Sequence, residues 1–381
     1  MFKTRFGIGI LFFLCGINFA TWATRIPDFK KLLNLTEAEL GTVLMGLPIG
    51  SLVSLPLAGW LIAKYNSKII CLIAVCMYIC IVPLIGYSST AFQLFGVLFL
   101  FGMSGDILNI AMNTQVIALE NKLSKIFMSS FHAIFSIGLM LGALLGSLMI
   151  TMNLGYKIHF WGIAFLNLVL IPSFYYSLLP DEKSINYSNE KLDTSIFNLN
   201  SYLITLALIA FCGMLCEGAM ADWITLYFEE IISSNIIPQT IGFTTFAAAM
   251  VLGRLLGDFL SNKYKVKNVL IINGFLIAVG MSITLVSYDI LIKICGCFLV
   301  GIGVSTIVPI IYSQAGMQTK IKPAIAIAGV STIAYIGFLI GPVIIGYFAD
   351  ISSLKYSLIL LIVLGLLSSL IATIFLPDSE N

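Results

Sequence analysis

The chain is punctuated into apolar stretches long enough to cross a bilayer, at 5–27, 37–63, 69–87, 91–118, 129–151, 159–179, 201–228, 239–260, 269–287, 290–316, 323–349 and 356–376. A spanning helix needs ~20 mostly apolar residues, whereas a tilted barrel strand needs only ~10. Inside lipid every backbone N–H and C=O must be paired, so runs of this length are helices. Composition agrees: 59% of the residues are hydrophobic and 10% charged. A soluble surface of this size needs about 25% charged residues, so lipid is the solvent for most of this one. The expected fold class is an all-α membrane protein with 12 transmembrane helices. A net charge of +2 lacks the basic face that nucleic acid requires. The bilayer is a partner of this chain, and nucleic acid is not.

Between the sixth and seventh stretches lies the longest polar segment, from Pro180 to Asn200. It divides the chain into 1–179, a linker 180–200 and 201–381. Placing the N-terminus in the cytoplasm puts 13 Lys/Arg residues on that side, among them Lys64, Lys68, Lys122, Lys125, Lys263 and Lys267, and 5 on the other. The excess of basic residues in short cytoplasmic loops favours that orientation, with both termini inside. The halves are also related by a shift of 199 residues. That shift carries Lys64-Tyr65 onto Lys263-Tyr264, Phe99-Leu100 onto Phe298-Leu299, and Ile137-Gly138 onto Ile336-Gly337. Six spans per half make this a parallel repeat, two six-helix bundles related by a pseudo-twofold axis.

The N-terminal run after Lys3 and Arg5 has the look of a signal peptide, but further spans follow at once, so it reads as an uncleaved first helix. All eight cysteines lie in apolar runs, without metal-ligand spacing, and read as small packing residues. Neither a phosphate-binding loop nor a nucleophile or metal constellation is present, so no enzyme activity, cofactor or metal is expected.

Ionisable and polar residues deep in a span are the functional clues, because burying them is costly. Asp106, Asn109 and Asn113 share one face of the fourth span; Asn18, Trp22 and Arg25 form a similar stripe in the first. The seventh carries Glu217 and, nearer the outside, Asp222. The 199-residue shift sets Asn18 opposite Glu217 and Asp106 opposite Ser305. Two readings stand. These groups hold the bundle together by hydrogen bonds between helices, or they line an aqueous cavity where carboxylates exchange protons or meet a solute. Ser305, Pro309, Tyr312 and Tyr335, in the tenth and eleventh spans, add hydroxyls, rings and a freed carbonyl. Glycine stripes at 138, 142 and 146 and at 337, 341 and 346 read as close helix packing. Lys293 is expected to snorkel outward, and His132 to pack between helices.

Gly102-x-x-Gly105 through Asn109-Ile-Ala-Met-Asn113, Met128-Ser-Ser-Phe-His132, Glu217-Gly-Ala-Met-Ala-Asp222-Trp223 and Gly341-Pro342 give the whole chain a resemblance to the major facilitator superfamily. Within it, the chain looks like the MosC-like and YbjJ-like branch. The resemblance implies a secondary transporter working by alternating access. One branch member is associated with a rhizopine, an inositol-like compound, which points to a polyol- or sugar-like solute. The cytoplasmic signature after the second span departs from the family pattern: Gly59 is followed by Ala63-Lys64-Tyr65-Asn66-Ser67-Lys68, without the acidic residue and second glycine. Arg254 and Asp258, four apart in the eighth span, are the more plausible cytoplasmic gate.

The expectation is a monomeric, proton-coupled symporter in a bacterial cytoplasmic membrane. Its solute would meet Asn18, Trp22, Asp106, Asn109, Asn113, Glu217, Ser305, Pro309, Tyr312 and Tyr335, with Glu217, Asp106 and Asp222 handling protons. Gating would fall to Arg25, Lys64, Lys68, Arg254 and Asp258. A proton-driven efflux antiporter for amphipathic compounds shares the fold and stays open, and a non-transporting sensor or scaffold is the distant alternative.

Overall fold

The structure, a computed structural model, describes residues 2–123, 128–179, 199–232, 237–316 and 323–377. Most of the expected linker, residues 180–198, lies outside the described residues. The remainder is helical, and contacts divide it into two compact units. The first comprises Met1–Tyr187 with Glu229–Thr240, the second Ser188–Phe228 with Ile241–Asn381. Residues 229–240 therefore group with the first unit, a detail that the boundary expected from sequence does not contain. Lys31 pairs with Glu229 at 2.7 Å there, and Ser147 hydrogen-bonds Thr240.

In the first unit the helices are α1 (Phe2–Ala23), α2 (Ile26–Leu32), α3 (Glu37–Leu44), α4 (Gly46–Tyr65), α5 (Ser67–Ile85), α6 (Ala91–Leu123), α7 (Met128–Thr151) and α8 (Tyr156–Tyr175). The second contains α9 (Ser201–Ile231), α10 (Ile241–Lys263), α11 (Val266–Val286), α12 (Ile290–Ser305), α13 (Ile307–Gly316), α14 (Pro323–Ile351), α15 (Leu354–Ser357) and α16 (Ile359–Phe375). Every expected span coincides with helix, and four of them are broken in two. Among the described residues, ten helical stretches are long and apolar enough to cross a membrane, and Ile241–Gly257 is a shorter apolar helix.

Three of the breaks precede a proline: Pro27 after the turn at Arg25, Pro48 after Met45, and Pro309 after Thr306. Proline lacks the N–H that a helix interior needs, but in a first turn that donor has no partner anyway. The chain bends so that each proline falls in a first turn. At the start of α3, Thr36 and Glu39 close a capping box that satisfies two orphan N–H groups.

Within the first unit α1 packs on α7 and α4 on α6; within the second α11 packs on α12 and α16, and α10 on α12. Glycines allow the closest of these approaches: a Cβ on Gly50 of α4 would fall 1.9 Å from the Phe99 carbonyl oxygen of α6, and two stripe glycines sit nearly as tightly. A Cβ on Gly138 would fall 2.3 Å from the Phe13 carbonyl oxygen, and one on Gly337 would fall 2.6 Å from that of Phe211. Those two glycines are 199 residues apart and play the same part in their own units. The shift also carries α5 onto α11 almost residue for residue.

Candidate functional site

In the second unit, α9 and α10 bring an acid and a base together inside the apolar helices. Arg254 Nη2 donates to Glu217 Oε1 at 3.4 Å, and its Nε donates to the Ser305 carbonyl at 3.4 Å. The second contact follows from local sequence. Pro309 stands four residues beyond Ser305 and cannot supply the helical N–H to that carbonyl, which is left for the guanidinium. Both side chains of the pair retain some exposure, 25% for Glu217 and 11% for Arg254, so the charges border an accessible surface. Tyr312, one turn past Pro309, hydrogen-bonds Ser331 of α14 and lies close enough to Glu217 to feel its charge. Tyr335 is half-buried and engaged with its surroundings. Pro309 itself is exposed. Asp258, expected to partner Arg254, has its side chain outside the described residues. The structure joins Arg254 to a residue 37 positions earlier, on another helix.

The first unit holds a second polar ladder. Asp106 Oδ2 lies 2.9 Å from Ser54 Oγ on α4. Asn109 hydrogen-bonds Asp106 from one turn along, and Asn113 Nδ2 donates to the Asn109 carbonyl and side-chain oxygens at 2.8 and 2.9 Å. The Oδ1 of Asn113 is buried with no hydrogen-bond partner. Tyr78 and Cys15, 4.0 Å apart, close the far side. Ser54 escaped the sequence reading because serines are common in membrane helices; its i+3 relation to Ser51 was the available signal.

Other expected residues are engaged elsewhere. Asn18 and Asn167 exchange reciprocal side-chain hydrogen bonds at 2.9 and 3.0 Å, both fully buried. Trp22 is buried against Phe29, with its indole N–H unpartnered. Arg25 donates to His159 Nδ1 at 3.3 Å, Asp28 Oδ2 at 3.0 Å and the Leu154 carbonyl at 2.8 Å, tying the α1–α2 turn to the start of α8. Lys64 lies over Trp60 and Tyr65, and Lys68 over Tyr175. Asp222 is buried on α9 and makes no hydrogen bond or ion pair with any described residue. His132 packs edge-on against Phe12. Lys293 does not snorkel outward: it is buried, donating to Tyr227 Oη and the Thr284 carbonyl, each at 2.8 Å.

Two bundles of broken, apolar helices with polar clusters at depth define a polytopic membrane protein. Its sequence matches the Major Facilitator Superfamily profile over residues 8–320 and again over 238–381. It is 31% identical to an uncharacterized MFS-type transporter of Yersinia pestis over 347 residues, 91% of this chain and 89% of that protein. It is 25% identical to the membrane protein MosC of Rhizobium meliloti over 97% of this chain and 89% of that one. The fold matches the crystal structure of the nucleoside transporter NupG with a TM-score of 0.74 at 15% identity, covering 98% of this chain and 98% of that one. A bacterial homolog of the human lysosomal transporter Spinster gives 0.73 at 14% identity, covering 96% and 95%. The chain belongs to the major facilitator superfamily and is a membrane transporter.

Proposed function

We propose that this chain is a proton-coupled secondary transporter that moves a small polar, polyol- or sugar-like solute by alternating access. The Glu217–Arg254 pair carries this reading. A charge pair set among apolar helices is costly to keep there, yet this one borders an accessible surface and is flanked by hydroxyls of Tyr312 and Ser331. Such a surface offers a hydroxylated solute both donors and acceptors. The carboxamides of Asn109 and Asn113 offer the same chemistry in the other unit, with one oxygen of Asn113 still lacking a donor. The nucleoside specificity stated for NupG belongs to that protein, and a nucleoside is itself a hydroxylated, hydrogen-bonding solute.

The basic residues of the short loops favour cytoplasmic termini, and the bacterial relatives favour a bacterial cytoplasmic membrane. The test is uptake into proteoliposomes under an imposed pH gradient, with a panel of myo-inositol, glucose, uridine and amphipathic cations. Accumulation of a hydroxylated solute that collapses with the gradient is the expected result. Movement of the amphipathic cations alone would replace this reading with efflux.

A further inference from the structure

The tenth span is broken, and its counterpart in the first unit is not. α12 ends at Ser305 and α13 starts at Ile307, whereas α6 runs unbroken from Ala91 to Leu123. Among the positions that differ under the 199-residue shift, four bear on the break. Arg254, Asn273, Thr306 and Pro309 stand where the first unit has Leu55, Ala74, Ile107 and Ile110. Pro309 accounts for a bend, because its ring crowds the carbonyl four residues back and it brings no N–H. Proline does not decide where the bent segment points, nor what holds it there.

The neighbouring helices do both. Asn273 of α11 is buried, and its Nδ2 donates to Thr306 Oγ1 at 2.8 Å. Arg254 of α10 donates through Nε to the Ser305 carbonyl, the one that Pro309 leaves without a helical donor. The Ser305 hydroxyl donates back to the Ile302 carbonyl at 2.6 Å. Glycines bring these helices onto the elbow itself. A Cβ on Gly253 would fall 2.0 Å from Ser305 Oγ, and one on Gly257 would fall 2.8 Å from Thr306 Cγ2. A Cβ on Gly303 would fall 2.6 Å from the Asn273 carbonyl oxygen. Beyond the elbow, α13 carries Tyr312 to its bond with Ser331, within reach of the Glu217 charge.

We infer that Asn273 is a positioning residue of the Glu217 site: together with Arg254 it holds the elbow between α12 and α13, and so sets where Tyr312 stands beside the charge pair. This rests on the reading of that site as the one that meets solute. Arg254 serves both parts, with Nη2 on Glu217 and Nε on the elbow. Asn273 serves the elbow without carrying a charge, so removing it loosens the bend and leaves the ion pair intact. The first unit offers the contrast. Without these four residues, its sixth helix passes the same point straight.

Hydrogen–deuterium exchange of the full chain in liposomes, read by mass spectrometry on a peptide spanning 304–312, tests the clamp without a solute. Thr306→Val keeps the shape and removes the acceptor, and Asn273→Leu removes the donor. Each should speed exchange in that peptide by about three- to tenfold, the range that an interhelical hydrogen bond inside a membrane gives. A peptide spanning 104–113 of α6 should exchange as in the wild type. Thr306→Ser keeps the hydroxyl and should leave both peptides unchanged. Unchanged exchange in either folded variant, or a rise of equal size in the α6 peptide, overturns the clamp. If Asn273→Leu does not fold, Thr306→Val decides alone. Uptake of myo-inositol and uridine under a pH gradient then tests the positioning. Thr306→Val should raise KM severalfold, Thr306→Ser should not, and adding Tyr312→Phe to Thr306→Val should change little more. An unmoved KM in a Thr306→Val protein with a loosened elbow overturns the link to Tyr312. If the wild type accumulates neither solute, the transport reading fails and takes that link with it, while the exchange result still stands for the elbow.

Discussion

Arg254 Nη2 lies 3.4 Å from Glu217 Oε1, joining two helices across 37 residues of sequence. Removing one partner leaves the other charge among apolar side chains, at a cost of about 1–3 kcal/mol. Arg254→Ala and Glu217→Leu should each lower the unfolding temperature in detergent. The double variant Glu217→Gln/Arg254→Gln should recover most of that loss while remaining inactive in uptake. Thermal unfolding followed by size-exclusion chromatography measures the first effect and proteoliposome uptake the second. Full recovery of uptake would remove the pair from the site.

The reciprocal amide pair of Asn18 and Asn167 makes the opposite forecast. Asn18→Leu strands the Asn167 amide and should cost about 1–3 kcal/mol. Asn18→Leu/Asn167→Leu, with both partners apolar, should return close to wild-type stability. If solute affinity in that double variant is unchanged, Asn18 holds helices together and does not touch solute.

These two pairs show what the sequence made legible. Depth within a span is readable, because apolar run length sets the register against the bilayer, and so Asn18, Asp106 and Glu217 stand out as costly residues. Partners are not readable, since Asn167, Ser54 and Arg254 come from other helices and no local pattern links them. The helix breaks fall between these limits. Pro27, Pro48 and Pro309 announce them, but the 290–316 stretch reads as one span because its apolar run continues straight through Thr306. The grouping of residues 229–240 with the first unit depends on Lys31 and Thr240 contacts that no composition shift marks.

The glycine stripes allow a contrast within one motif. A Cβ on Gly138 would fall 2.3 Å from the Phe13 carbonyl oxygen, while one on Gly341 would fall 3.4 Å from Leu215 Cγ. Backbone cannot yield as a side chain can, so Gly138→Ala must push α1 and α7 apart. Gly138→Ala should reduce the yield of folded protein sharply, whereas Gly341→Ala should express and unfold like the wild type. Equal behaviour of the two variants would mean that the stripe does not set helix spacing.

A pH effect is expected at Glu37, the first residue of α3, at the outermost edge of the 37–63 stretch and outside the ten helical stretches long and apolar enough to cross a membrane. Burial alone would raise its pKa, but the hydrogen bond and charge of Lys30 outweigh that, and the pKa ends below its usual 4.5. A carboxyl with a lowered folded-state pKa contributes stability above its unfolded value and loses it as pH falls through the folded one. Glu37→Gln should therefore be less stable than wild type at neutral pH, with the gap closing below about pH 4. Unfolding temperatures of both proteins across pH 3 to 7, roughly the carboxylate range, test this. A gap that stays constant would show that the Lys30 pairing adds nothing.

Lys293 makes the last prediction, and it follows from an inward turn where an outward one was expected. Its ammonium donates to Tyr227 Oη and to the Thr284 carbonyl, each at 2.8 Å. Thr284 lies in the final turn of α11, which ends at Val286, so the carbonyl belongs to a turn with no helical donors beyond it. A cation there also meets the negative end of the helix dipole. Lys293 thus caps α11 from α12 and draws α9 in through Tyr227. Lys293→Met keeps the length and loses both bonds, and should cost about 1–3 kcal/mol. Tyr227→Phe removes the bond from Lys293 and the hydroxyl's own longer bond to the Thr284 carbonyl at 3.4 Å, but leaves the lysine its bond to that carbonyl, and should cost less. Combining the two should cost little more than Lys293→Met alone, because the partners share a bond. Additive losses would mean that the lysine and the tyrosine act separately.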